Sequence, residues 1–226
     1  MGHIVAKDMY GALGDKIDSL TVRTPRNEAF YAMLRELYSP DEAELIVKMP
    51  FTLSTLDRIA KVTGLDRNQL EPMLEALCDK GLVVDLHLDG AYRYMPAPFV
   101  IGIFEFTMMR MGNSDADAGR YAKLFVDYLA GGEFYAANFN DRQQVSVTRV
   151  LPHLDHLGDH VEILDYEKVD RVIAEAQYFS LSNCSCRHKK HHAGGEVCKV
   201  PLETCTSFGK AADYLVRRGM AREISR

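Results

Sequence analysis

Hydrophobic positions recur with a helical period through the first eighty residues, and the period then changes. The pattern predicts helices over Asn27–Tyr38 and Pro40–Lys48. The second has a marked start: Ser39 as N-cap, Pro40 at the first helical position, and Asp41 and Glu42 against the positive end. After Pro50, Ser54 with Asp57 reads as a capping-box start to the helix LDRIAKVT, which Gly64 ends. Asp66 with Gln69 opens another helix, with Leu70, Met73, Leu74 and Leu77 at helical spacing and Gly81 closing it. Alternation then takes over, with Leu82, Val84, Leu86 and Leu88 on one face and Val83, Asp85 and His87 on the other. Asp89-Gly90 is a two-residue hairpin signal, and Ala91 to Tyr94 return from it. Among these four helices, three in succession followed by a hairpin give the order of a winged helix-turn-helix, predicted over residues 1–98.

Residues 99–140 read as a helical connector. Phe99 to Arg110 is apolar enough for a buried helix or a seam, with Phe99, Ile101, Phe104 and Met108 joining the two halves or burying a homodimer contact. Arg120 to Leu129 predicts an amphipathic helix with Leu124, Phe125, Tyr128 and Leu129 inward, and Gly131-Gly132 breaks it. Residues 141–226 read as a smaller α/β metal-binding domain. Strands are predicted at Gln143–Leu151 and Val161–Leu164, and a helix capped by Asp165 carries Val169, Val172, Ile173 and Ala176. His153, His156 and His160 fall in a segment that Pro152 and Gly158 mark as a loop. The fold class that results is α+β: an N-terminal winged helix-turn-helix domain, a helical connector and a small C-terminal α/β metal-binding domain.

Charge changes the reading of the winged helix. The net charge is −5 over 226 residues. The presumed recognition helix, Asp66 to Lys80, carries Asp66, Glu71, Glu75 and Asp79 against Arg67 and Lys80. Phosphate contacts need cations, because counterion release supplies most of the affinity for DNA. A winged helix used for packing or protein contact therefore fits better than one that binds DNA.

The candidate chemistry lies near the C-terminus. Four of the five cysteines fall between Cys184 and Cys205, in the pattern C-x-C-x11-C-x6-C. Alternation through Phe179–Cys186 predicts an extended segment with Cys184 and Cys186 on the same side. Gly194-Gly195 allows a turn toward Cys198, and Pro201 stiffens the loop before Cys205. Cys205 is expected at the start of a helix capped by Thr206 or Ser207, where the dipole favours a thiolate. Arg187, Lys189 and Lys190, with His188, His191 and His192, form an expected basic rim for compensating thiolate charge and docking an acidic redox partner. Cys78 belongs to the apolar stripe of its helix and is assigned to the core.

Cys184, Cys186, Cys198 and Cys205 are thus the candidate ligands. Four thiolates serve zinc and iron–sulfur centres alike. Structural zinc sites favour C-x2–4-C pairs, which neither end of this pattern provides. The spacing therefore favours an iron–sulfur cluster, with zinc as the alternative.

The residues CSCRHKKHH, followed by CKVPLETCTSFGKAADYLVRRGMAREIS, also resemble a family of 4Fe–4S ferredoxin-type proteins of anaerobic bacteria. In that family a winged-helix-like region precedes a C-x-C-R … C-x-x-P-x-x-x-C-x-x-x-G-x-A-A-D-Y segment. The resemblance implies Cys184, Cys186, Cys198 and Cys205 as ligands of a 4Fe–4S cluster that serves electron transfer or redox sensing. The C-x2-C-x2-C-x3-C-P runs of a ferredoxin module, usual further along in that family, do not occur in these residues. Glu223-Ile224-Ser225 reads as the approach to another helix, so either a longer chain or a short family member is expected.

Other classes are weaker. The N-terminus lacks the apolar core of a signal peptide, and Pro96–Phe104 is too short to span a bilayer, so membrane insertion is not expected and a cytoplasmic location is. No Ser/His/Asp order or phosphate-binding glycine loop points to an enzyme. A protein redox partner is expected, and two alternatives stand beside electron transfer: a cluster-dependent winged-helix transcriptional regulator and a structural zinc-binding interaction protein.

Overall fold

The computed structural model describes residues 2–112, 116–139, 169–194 and 199–226. The expected strands at Gln143–Leu151 and Val161–Leu164, the segment of His153, His156 and His160, Asp165, and Cys198 lie outside them.

Helix α1 (Gly2–Asp18) runs into α2 (Glu28–Leu37) and α3 (Pro40–Lys48). Asn27 caps α2, and Ser39 and Glu42 form a reciprocal capping box on α3 with Pro40 inside it. Strand β1 (Ser54–Thr55) leads into α4 (Leu56–Thr63), followed by α5 (Arg67–Asp79). The cap of α4 is Thr55 rather than Ser54, which is drawn into pairing with Tyr94. Asp66 caps α5, while Gly64 and Gly81 end their helices with φ of 74° and 76°.

Strands β2 (Val83–Leu88) and β3 (Ala91–Pro96) form the expected hairpin, closed at Leu88↔Ala91. Asp89 and Gly90 both take positive φ, as a primed hairpin turn requires. The sheet order is β1-β3-β2, all antiparallel. Of the β2 face that carries Val83, Asp85 and His87, the first two are completely buried and His87 is exposed.

Phe99–Ile103 is not the continuous helix expected there. Val100 and Ile101 are extended, Ile101 projects outward, and helix α6 begins only at Phe104 (Phe104–Arg110). Helices α7 (Ala116–Ala130) and α8 (Glu133–Asn138) follow, separated by Gly132 in the left-handed region. Phe125 and Tyr128 of α7 are fully buried. One large core unites α1 to α7 with Phe99 and Phe134, and Phe99 packs against Phe30, Phe125 and Tyr128.

After α9 (Val169–Glu175), strand β4 (Phe179–Asn183) passes into α10 (Ser185–His192), and β5 (Glu203–Phe208) into α11 (Gly209–Arg217). Strand β6 (Arg222–Glu223) completes a second antiparallel sheet of order β5-β4-β6. The helix approach expected at Glu223 is therefore a sheet edge, since Arg222 and Glu223 pair with Leu181 and Ser180. The protein is α+β in class, with two small sheets among helices. No helix among the described residues is long and apolar enough to cross a membrane.

The second sheet is tied to the first by α11. Tyr214 is buried, donates its hydroxyl to the Val83 carbonyl at 3.2 Å and packs edge-on against Phe106. Phe106, Met109, Tyr214, Leu215 and Met220 form a second core, with Val84 and Leu86 of β2 packed against it. Arg217 and Arg218 stand at the end of α11. They clasp Asp85: Arg217 Nη1 at 2.7 Å and Arg218 Nε at 2.9 Å. Arg218 also reaches Glu75 at 2.7 Å and Asp79 at 2.9 Å on α5.

Candidate metal centre

A bulge after Ser182 turns the chain out of β4. The Cys184 amide then donates to the Leu202 carbonyl at 2.8 Å, beside the start of β5, and Cys184 becomes the N-cap of α10. Cys184 and Cys186 therefore straddle a helix start. The extended segment expected through Cys186 ends at Asn183, because the Cys184 carbonyl already accepts from the His188 amide at 2.8 Å.

Cys205 also departs from expectation. It lies within β5, opposite Ser182, rather than at the head of a helix. The helix begins four residues later, after Phe208, where Gly209 adopts φ of 60°. The Ser182 hydroxyl donates to the Cys205 carbonyl at 3.2 Å.

The pairing of β4 with β5 brings Cys205 within electrostatic reach of Cys184 and Cys186. Desolvation raises the pKa of Cys205, the Cys184 and Cys186 thiolates add to the rise, and the Ser182 hydroxyl opposes it. Desolvation and the neighbouring Cys184 likewise push Cys186 up, against Lys189 and Arg187. Because Cys205 lies in β5, the helix dipole expected to favour its thiolate is not at its position. All three cysteines are free. Among the described residues, no three His, Cys, Asp or Glu side chains stand close enough together to hold one metal ion. The three cysteines are neighbours, not a closed ligand cage.

The surroundings hold two groups that sequence reasoning missed. Glu105, at the start of α6, is largely buried: its carboxylate accepts from the Gly102 amide at 2.9 Å and its carbonyl from the Ser185 hydroxyl at 2.9 Å. Burial pushes its pKa up to about 7, against the pull of backbone N–H groups, and its charge raises Cys186 and Cys205 in turn. The second group is His188, placed in the basic rim by the sequence but wholly buried, with Nδ1 2.7 Å from the Met108 carbonyl. Its spacing of four from Cys184 was the available signal, since those positions share a helix face.

The rest of the rim is partly committed. Arg187 donates to the Thr204 hydroxyl on β5, and Lys189 Nζ sits 5.3 Å from the centre of the Phe104 ring. Lys190 and His191 are exposed. Cys78 is completely buried in the first core, where burial raises its pKa far beyond that of a reactive thiol.

No protein-family model, curated protein or solved structure matches this chain. The functional argument therefore rests on the residues themselves.

Proposed function

We propose that the chain is an iron–sulfur protein of the ferredoxin-type family it resembles. Cys184, Cys186, Cys198 and Cys205 would hold a 4Fe–4S cluster for electron transfer or redox sensing. One observation carries the reading: two separate elements, the head of α10 and the middle of β5, bring Cys186 and Cys205 close enough to Cys184 for it to help raise the pKa of each. Free thiols, half-buried at Cys184 and Cys205 and exposed at Cys186, beside Arg187 and Lys189 suit an anionic centre, whose bound iron would supply one-electron chemistry. The chain's own part is to present the sulfurs, offset their charge and limit access of water. Exposed Lys190 and Cys186 give an acidic redox partner a place to approach.

Residues 1–98 read as a winged helix used for protein contact. The helix and hairpin order supports this, and Glu75 and Asp79 of α5 are already engaged by Arg218. A cluster-dependent regulator is the second reading, favoured by the direct run from Cys205 through β5 into α11 and the Asp85 clasp.

The test is anaerobic purification with iron, sulfide and zinc analysis. A brown protein bleached by dithionite, and lost in Cys198→Ala, supports the cluster. A colourless protein with one zinc per chain overturns it. Retention on DNA at low salt selects the regulator, and its absence selects the electron carrier.

A further inference from the structure

Helix α10 carries a second chemistry, independent of the cysteine reading. His188 is 0% exposed, and its Nδ1 lies 2.7 Å from the carbonyl oxygen of Met108. A carbonyl oxygen only accepts, so the hydrogen of that bond sits on Nδ1, and in the neutral ring Nε2 keeps its lone pair. This Nε2 is buried and has no hydrogen-bond partner. Buried polar atoms are almost always satisfied, so an orphaned ring nitrogen calls for an explanation.

One turn along the same helix stands His192, its ring centre 4.7 Å from that of His188 and inclined by 70°. Spacing of four puts both imidazoles on one helix face, the arrangement by which a helix offers two histidines to one ion. A ligating histidine characteristically gives its other ring N–H to a backbone carbonyl or carboxylate, which fixes the tautomer and aims the free nitrogen. The Met108 carbonyl plays that part for His188. Imidazole donors select zinc, copper or nickel over magnesium or calcium.

We propose that His188 and His192 form a binding site for one divalent late transition-metal ion of the zinc type. Among the described residues no third His, Cys, Asp or Glu completes the set, so the ion's coordination needs further donors besides these two imidazoles. His191 is exposed, with its ring centre 5.7 Å from that of His192. Its exposure sets it apart from the buried His188, and it serves as the internal control.

The experiment uses the full chain with Cys184, Cys186, Cys198 and Cys205 all changed to serine, titrated anaerobically with Co2+ and then with Zn2+. One equivalent is expected to bind, with cobalt bands free of sulfur charge transfer. His188→Gln and His192→Gln should each weaken binding about tenfold or more, and His191→Gln less than about twofold. Equal loss in His191→Gln, or none in His188→Gln, identifies adventitious capture by the histidine-rich surface and overturns the proposal. If the serine variant does not fold by circular dichroism, nitrogen-15 spectra of the wild-type chain decide. A shifted His188 Nε2 resonance on Zn2+ addition supports the site, and an unmoved one overturns it. Iron and sulfide are measured separately on the wild type, so failure of the cluster and failure of this site are distinct results.

Discussion

Asp85 Oδ1 accepts from Arg218 Nε at 2.9 Å across 133 residues of sequence. Arg217 Nη1 holds the other carboxylate oxygen at 2.7 Å. Asp85 is wholly buried, so truncating it removes the buried partner of two guanidinium groups and leaves them to Asp213, Glu75 and Asp79 around the joint. Asp85→Ala should lower stability by about 3–5 kcal/mol, read from urea unfolding. Replacing Asp85, Arg217 and Arg218 together by apolar residues should cost less than the single change.

The same carboxylate makes the joint acid-sensitive. Burial opposes its ionisation, but hydrogen bonds from Arg218 and then Arg217 outweigh burial and hold its pKa below the ordinary range. A depressed carboxylate stabilises the fold above its unfolded pKa, near about 4, and that contribution fades as pH falls through the folded value. Thermal unfolding between pH 6 and pH 2 should show this decline, and Asp85→Asn should flatten it.

Glu105 should act in the opposite sense. Its pKa is pushed up to about 7 by burial, so the folded state holds a proton that the unfolded chain has released. Stability of the metal-free chain should fall as pH rises from about 4.3 toward 7 and then level off. Glu105→Gln should remove that slope and raise stability at pH 8 by about 1–3 kcal/mol.

A methyl group at position 81 has nowhere to go. Gly81 has φ of 76°, and an added Cβ would meet the Cβ of Phe106 at 2.4 Å. Gly81→Ala combines left-handed strain with a clash against a buried ring and should cost about 2–4 kcal/mol. Gly64→Ala, with similar φ but open space around it, should cost only about 1 kcal/mol.

The cysteines should separate by role. Cys205→Ala should abolish iron retention while leaving circular dichroism unchanged. Cys78→Ala should keep the iron and lower stability by about 1–2 kcal/mol, because it removes a fully buried sulfur from the first core.

Local chemistry made the first sheet and its helices legible. Ser39 with Glu42, Gly64, Gly81 and Asp89-Gly90 are signals whose physical cause lies within a few residues, and each ends or starts an element where expected. Cys78 read as core from its helical phase alone. The second sheet was less legible because its decisive contacts are distant. Alternation through Phe179–Cys186 looks like one strand, yet the Leu202 carbonyl captures the Cys184 amide and a helix starts there. Cys205 looked like a helix start because Thr206 and Ser207 resemble caps, but pairing with Ser182 holds it in a strand. Asp85 and His188 looked like surface residues, and only Arg217, Arg218 and Met108 explain their burial.

The Asp85 clasp also sets an order of events during synthesis. Strand β2 leaves a ribosome well before the arginines that neutralise its buried carboxylate, which follow 132 and 133 residues later. Until they arrive, Asp85 remains hydrated and the hairpin cannot settle against its final partner. The first sheet pairs from local strands, but burial of its Asp85 against α11 is a late step, completed by contacts of long sequence separation.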